Sequence, residues 1–156
     1  MQHSDKLVAF ALGRQRYALS LSSVERVIRA VEITPLPKAP DIISGIVNMQ
    51  GRVIPVFNIR KRFGIPDKEI SPDDYMIVAN TTARTVSFTV EDIEEVMDCT
   101  SREIVPPEAI LPEMEYVEGV VKLDDGMVFI HDLEKFLCPE EEKELDDALR
   151  NTGPDR

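Results

Sequence analysis

With 156 residues, 43% of them apolar, the chain holds enough material for one compact domain, or two small halves sharing a core, and nothing larger. Its net charge of −11 argues against nucleic acid as a partner, because phosphate binding is driven by clustered Lys and Arg, and it disfavours anionic membranes too. No apolar run approaches the roughly 20 residues of a spanning helix, and MQHSDK at the start lacks a signal-peptide core, so a cytoplasmic protein without direct membrane insertion is expected.

Strand signals open the chain at 6–12 and continue after a turn at Gly13–Arg16, where Tyr17, Leu19 and Leu21 alternate with other residues. Ser22-x-x-Glu25 resembles a capping box and predicts a single helical turn. Strands follow at 45–49 and 52–57, joined at Gln50-Gly51; Pro55 lacks an amide donor and predicts an edge strand or a bulge, and an edge can receive a partner. Asn58 is placed to cap a short helix over 59–63, which Gly64 ends. Residues 64–74 carry Pro66 and Pro72 and read as an ordered surface connection.

Further strands are predicted at 75–80 and 85–90. In the latter, Val86, Phe88 and Val90 face a core, and Thr85, Ser87 and Thr89 face solvent. The stretch 104–115, with Pro106, Pro107 and Pro112, reads as a second ordered connection. Strands at 117–123 and 127–131 flank a turn at Asp124–Gly126, and Asp132 is placed to cap 133–137. A helix over 139–150 is favoured by Pro139 in its first turn and by Glu140–Glu142 beside the positive end of its dipole. Its large apolar residues are the single pair Leu145 and Leu149, which predicts weak anchoring.

Two stretches repeat one pattern. Residues 45–63 (GIVNMQGRVIPVFNIRKRF) and 119–137 (GVVKLDDGMVFIHDLEKFL) each begin with glycine, turn at Gln50-Gly51 or Asp125-Gly126, and close on an Asn58- or Asp132-led segment, 74 positions apart. Upstream, Leu19, Leu21, Val24 and Val27 recur as Phe88, Val90, Ile93 and Val96 at an offset of 69. A duplicated β unit follows. Short strands with glycine turns point to small barrels or sandwiches, and two such sheets side by side create a groove and two outer faces, a geometry suited to holding several partners.

Catalytic chemistry is sparse. His131 lies within a predicted strand and His3 at the terminus, with no Ser/His/Asp or Cys/His arrangement. Asp124 and Asp125 suit metal binding or acid–base work in principle, yet an Asp-Gly hairpin turn accounts for them. Together with Asp132 they carry the alternative reading, a small metal-dependent hydrolase on a β-barrel scaffold. Glu140–Glu142 lack the order of a calcium loop, and Cys99 and Cys138 stand in no metal-ligand spacing. A nucleic-acid-binding barrel would need a basic aromatic face, but the aromatics fall on core-like positions. Arg52, Arg60, Lys61 and Arg62 form the one concentrated basic region, either a solvated turn and helix or a surface that orients an acidic partner. Gly45, Gly51 and Gly119 have a plain explanation in tight backbone geometry.

Four segments, LVAFALGRQRYALSLSSVERVI, GIVNMQGRVIPVFNIRKRFG, RTVSFTVEDIEEV and EYVEGVVKLDDGMVFIHDLEKFL, with the intact Gly-x-x-Asn-x-x-Gly at 45–51, resemble the CheW family of chemotaxis coupling proteins from about Leu7 to Leu137. The resemblance implies a mainly β fold: two small SH3-like five-stranded β-barrels sharing a core, with short peripheral helices. The CheW-like domain would span 1–138, followed by a C-terminal helix and frayed tail over 139–156. It also implies a non-enzymatic adaptor without cofactor or metal, joining the cytoplasmic tips of methyl-accepting chemoreceptors to the regulatory domain of the histidine kinase CheA. Such an adaptor would be cytoplasmic and reach membrane-associated arrays through its partners. At 156 residues a stand-alone coupler is expected, because CheA and CheV carry the module beside further domains. Family members hold the receptor tip in the groove between barrels and the kinase through barrel ends. Transferred to matching positions, this makes Val24, Arg26, Gly45, Asn48, Gln50, Gly51 and Arg52 candidates for partner contact, joined by Val105 and Ile110 in the proline-rich loop. The sequence departs from the family at Gln50, where Arg is frequent, and at Arg26, where Glu is frequent; a changed partner set and compensation by nearby Arg52 are the two explanations.

Overall fold

The computed structural model of the chain describes residues 4–100, 104–106, 116–123 and 126–151. Its strands are β1 (Ser4–Leu12), β2 (Gln15–Ser20), β3 (Val24–Arg29), β4 (Ile43–Met49), β5 (Arg52–Phe57), β6 (Tyr75–Asn80), β7 (Thr85–Val90), β8 (Asp92–Thr100), β9 (Ile104–Val105), β10 (Val117–Leu123) and β11 (Gly126–His131). Helix α1 covers Ile59–Phe63 and α2 covers Pro139–Asn151. One sheet runs β8-β1-β2-β11-β10-β9 and the other β3-β6-β7-β5-β4. They are the two SH3-like barrels, the first with five full strands plus the two-residue β9.

The duplication is built in an exchanged form. Replacing β3, β6, β7, β5 and β4 by β8, β1, β2, β11 and β10 converts one sheet order into the other. The parallel pairings β5 with β7 and β11 with β2 correspond, as do the bulges beside Glu25 and Glu94 and those beside Ser44 and Glu118. Each barrel therefore takes strands from both repeats. The chain passes between barrels through the one-turn 3₁₀ segment Leu21–Ser23, and again at Glu91 between β7 and β8. Glu91 fastens that passage: its amide donates to Ala11 O at 3.1 Å, and its carboxylate takes Gly13 N–H, Arg60 at 2.9 Å and Lys68 at 3.8 Å.

Period-two alternation sorts the side chains into three apolar clusters. Leu7, Ala18, Val121, Val128 and Ile130 fill the first barrel, and Val47, Ile54, Val56, Met76 and Val78 fill the second. The largest cluster lies between the barrels, where Phe10, Tyr17 and Leu19 of one sheet meet Ile77, Val86 and Phe88 of the other. Ser87 is buried, contrary to its predicted solvent face: it points into the second barrel, and its hydroxyl donates to Pro55 O at 3.2 Å. Both faces of β7 are covered, because a barrel wall has a filled inside.

Several expectations need correction. Ser22 caps no helical turn: it lies inside the 3₁₀ turn Leu21–Ser23, which has no side-chain cap, and Val24 and Glu25 already belong to β3. Strands β3 and β8 carry no clean strand signal in the sequence, because exposed and charged residues interrupt their alternation. Pro55 is not on an edge: β5 lies between β4 and β7, but its parallel ladder with β7 begins only at Val56, so no donor is needed at 55. Asn58 does cap α1, accepting from Lys61 N–H at 3.0 Å, and Gly64 ends it in the left-handed region. Asp132, by contrast, caps nothing with its side chain, and only one 3₁₀ turn forms at Leu133–Lys135. Helix α2 is held firmly: Leu145 and Ala148 are buried in the inter-barrel cluster, and Glu141 meets Arg62 at 2.7 Å while Glu142 and Asp146 meet Arg84. The connection 64–74 is pinned by Ile65 N–H to Arg60 O and by Lys68 to Asp74. Of 104–115, only 104–106 lie among the described residues.

His131 is buried among Phe63, Phe88 and Phe136, and neither ring nitrogen has a hydrogen-bond partner among the described residues. Burial therefore holds its pKa down at about 3, against 6.5 for an exposed imidazole. Between these values the unfolded chain binds a proton that the folded chain refuses, so stability falls as pH drops below 6.5, by up to about 1.4 kcal/mol per pH unit. His131→Leu is expected to remove that slope, read as the difference between variant and parent in urea unfolding at pH 4.5 to 7. Phe88 has no exposed surface, so Phe88→Ala should cost about 3–5 kcal/mol in the same assay. A loss under about 1 kcal/mol would contradict its place in the core.

Candidate functional site

The β4–β5 hairpin is a two-residue turn in which Gln50 has φ 56° and Gly51 φ 88°, the type I′ geometry that glycine favours. Asn48 braces it from outside, its Oδ1 accepting Gly51 N–H at 2.9 Å. Next along the chain, Arg52 reaches to β3. Its guanidinium meets Glu25 at 2.6 Å and donates to Thr85 Oγ1 at 2.9 Å, while Asn80 contacts both Glu25 and Thr85. These four side chains tie β3, β5, β6 and β7 together at one end of the second barrel, linking β3 to the β4–β5 hairpin with which it shares no backbone ladder. The hydrogen bond from Arg52 keeps the Glu25 carboxyl below the ordinary glutamate range.

The predicted contact residues thus divide. Val24, Arg26, Asn48, Gln50, Gly51 and Arg52 form one region around the mouth of the second barrel, all exposed except half-buried Val24. Gly45 is buried, and a Cβ there would stand 2.3 Å from Thr34 O, so it shapes the β4 edge, where Thr34 and Ile46 exchange backbone hydrogen bonds. Val105 belongs to the other barrel, on β9 beside Val120. Ile110 lies outside the described residues. Arg26 forms no ion pair among the described residues, although its charge helps keep the carboxyl of its neighbour Glu25 low; Glu25 is the acid that Arg52 engages, so an ion pair joins β3 to the hairpin.

Most of the remaining basic region turns inward. Arg60 and Arg62 are largely covered and serve Glu91 and Glu141, with Arg62 also against Tyr116, whose hydroxyl lies 3.2 Å away. Asp132 lies 3.8 Å from Lys135, and Asp124 and Asp125 fall outside the described residues. Among the described residues no cluster of His, Cys, Asp or Glu is arranged to hold a metal ion, and no helix is long and apolar enough to cross a membrane.

Sequence reasoning missed the groove walls. In β3, Val24 and Val27 stand opposite Ala79 and Ile77 of β6; in β8, Ile93 and Val96 stand opposite Phe10 and Val8 of β1. All four sit on the sheet faces turned to the inter-barrel core, but on edge strands, where that core runs out. Val27 is 39% exposed and Val96 54%. The segment Leu21–Ser23, which leads into β3, packs against β1, the strand that pairs with β8, and Val24 and Ile93 both pack against the inter-barrel cluster. The signal was present in the offset of 69, which pairs Val24 with Ile93 and Val27 with Val96.

A double-barrel β module that leaves apolar residues of two edge strands exposed beside its shared core, and carries a hydrogen-bonded hairpin at one barrel end, has the form of a binding scaffold. The model of the CheW-like domain matches residues 6–140, and the chain is a member of that family. It is 27% identical over 148 residues to the chemotaxis protein CheW of Klebsiella aerogenes, covering 94% of this chain and 89% of that protein. Against the chemotaxis protein CheW of Thermotoga maritima it is 29% identical over 132 residues, 85% and 87% of the two chains. Its structure is similar to that of the scaffolding protein TtCheW from Thermoanaerobacter tengcongensis, with a TM-score of 0.80 and 31% identity over 89% of this chain and 96% of that one. The hydrolase alternative finds no support in these relatives.

The Glu25–Arg52 pair alters what charge reversal at the hairpin does. Arg52→Glu sets two carboxylates face to face, so it should lower the thermal midpoint more than Arg52→Ala, and Glu25→Arg added to Arg52→Glu should recover most of the loss. If Arg52→Glu and Arg52→Ala melted alike, the ion pair would not hold in solution.

Proposed function

We propose that this chain is a non-enzymatic adaptor of the cytoplasm that couples methyl-accepting chemoreceptors to a CheA-type histidine kinase, and that it joins membrane-associated receptor arrays through these partners. The observation that carries the reading is the match of nearly the whole chain, in sequence and in fold, to CheW proteins and to the solved scaffolding protein TtCheW. The receptor tip would lie in the groove between barrels, near Val24, Arg26 and the hairpin Asn48–Arg52. The kinase's regulatory domain would engage barrel ends, with Val105 and Ile110 near that contact.

The physical role is proximity and coupling of states. Weak contacts at two surfaces raise the effective concentration of receptor near kinase, and a rigid link lets a shift in one partner bias the other. Two barrels locked by exchanged strands provide such a link.

Purified chain should change the autophosphorylation rate of its cognate kinase only when receptor is also present, and should be inert alone. Intrinsic hydrolase or transferase activity that survives purification and is abolished at Asp124, Asp132 or His131 would overturn the reading. In the same reconstitution, Arg52→Glu should weaken receptor binding more than Lys143→Glu on the exposed face of α2, with a deficit that shrinks as salt rises.

A further inference from the structure

The groove walls are related by the duplication in every apolar position, but not in charge. Two positions beyond the matched valines, Arg29 of β3 and Asp98 of β8 are repeat equivalents, again 69 apart, and both share the inter-barrel face with Val27 and Val96. Each has a cross-strand neighbour at the equivalent place. Arg29 lies over the ring of Tyr75 at 4.8 Å, whereas Asp98 meets Lys6 at 3.4 Å on β1, one strand in from the rim. The outermost charge on one wall is therefore positive and on the other negative.

We infer that this charge antisymmetry fixes the orientation of the element that occupies the groove, an apolar-striped helix whose flank is acidic toward β3 and basic toward β8. The inference rests on the receptor-tip reading given above. Apolar walls related by a pseudo-two-fold, Val24 and Val27 facing Ile93 and Val96, offer a helix two nearly equal ways to lie, because burial is non-directional. Charged rims break that degeneracy: the wrong orientation brings Arg29 against a basic flank and Asp98 against an acidic one, a repulsive discrimination of the kind that sets register and partner choice. An adaptor that relays a conformational state has need of one orientation only.

The test uses the full chain and a purified cytoplasmic fragment of its cognate receptor. A photoreactive residue at position 27 or 96 is cross-linked to the fragment, and the labelled residues are located by mass spectrometry. Each position is expected to label one flank of the fragment helix, a different flank for each. Arg29→Glu is expected to weaken binding about three- to tenfold at low salt, with the deficit largely gone in high salt. The exchange Arg29→Asp with Asp98→Arg should swap the two labelled flanks. Variants are compared only if their thermal midpoints match the parent, and Arg29→Gln gives a neutral control expected to fall between parent and reversal. If the parent binds, yet both positions label both flanks and the reversals leave affinity unchanged at low salt, orientation by charge is refuted while the coupler reading stands. If the parent does not bind the fragment, the receptor-tip reading fails and takes this inference with it.

Discussion

Everything in this molecule depends on strands being exchanged between repeats. The first barrel needs β1 and β2 from one repeat and β8, β10 and β11 from the other, while the second needs β3, β4 and β5 with β6 and β7. A repeat left alone would keep only its hairpins, β1 with β2 and β4 with β5 in one, β6 with β7 and β10 with β11 in the other, and would leave β3 or β8 without a partner strand; pieces of that size are marginal in water. The barrels also cannot separate as beads on a linker. Both passages between them are tight, and Glu91 sits in the second, engaged by groups from the β1–β2 turn, α1 and the connection 64–74. The groove is thus a fixed gap between two parts that share a core.

That shared core explains several details that would otherwise be unrelated. Phe10, Tyr17, Phe57, Phe88 and Phe136 meet between the sheets in edge-on and stacked contacts. His131 stands where the other repeat has Phe57, so an imidazole occupies an aromatic position, and burial keeps it neutral. Leu145 and Ala148 complete the cluster from α2, which makes the C-terminal helix part of the inter-barrel packing although its sequence reads as mostly acidic surface. The small apolar count of α2 misleads because two residues, placed fully inside, do more than a longer stripe half exposed.

Legibility in the sequence followed the physics of burial. Strands with one clean apolar face, such as β7, or with the glycine turn of β4–β5, were readable from alternation and turn chemistry alone. Edge strands β3 and β8 were not, because a strand with a single neighbour and one open flank can carry charges at bulges and rims without cost. The interior place of Pro55 was hidden too, since nothing local reveals that a parallel ladder starts one residue later. Of the candidate contact residues, those of the hairpin and of β3 do come together. The repeat that brings Val96 into the same groove was visible, but its exposure was not, because exposure depends on where the second sheet stops. Gly45 carries two readings in the sequence, tight backbone geometry and partner contact, and the Thr34 carbonyl packed against it gives the first its physical cause.

Duplication also separates what geometry preserves from what chemistry has changed. The bulged glutamates Glu25 and Glu94 are equivalent, and each faces an arginine, yet the arginines come from different places. Arg52 supplies one from β5, while its own equivalent is Gly126, and the room there is taken by Arg16 from β2, 3.9 Å from Glu94. The same electrostatic need is met twice by different residues, which fits a requirement for closing the barrel mouth more than a copied ligand contact. Where no such structural need acts, as at Arg29 and Asp98, the repeats differ in sign. Apolar positions fix the shape of the groove and are held in common; rim charges contribute little to stability and are free to diverge. Specificity between partners can therefore be written into those rims without disturbing the fold that presents them.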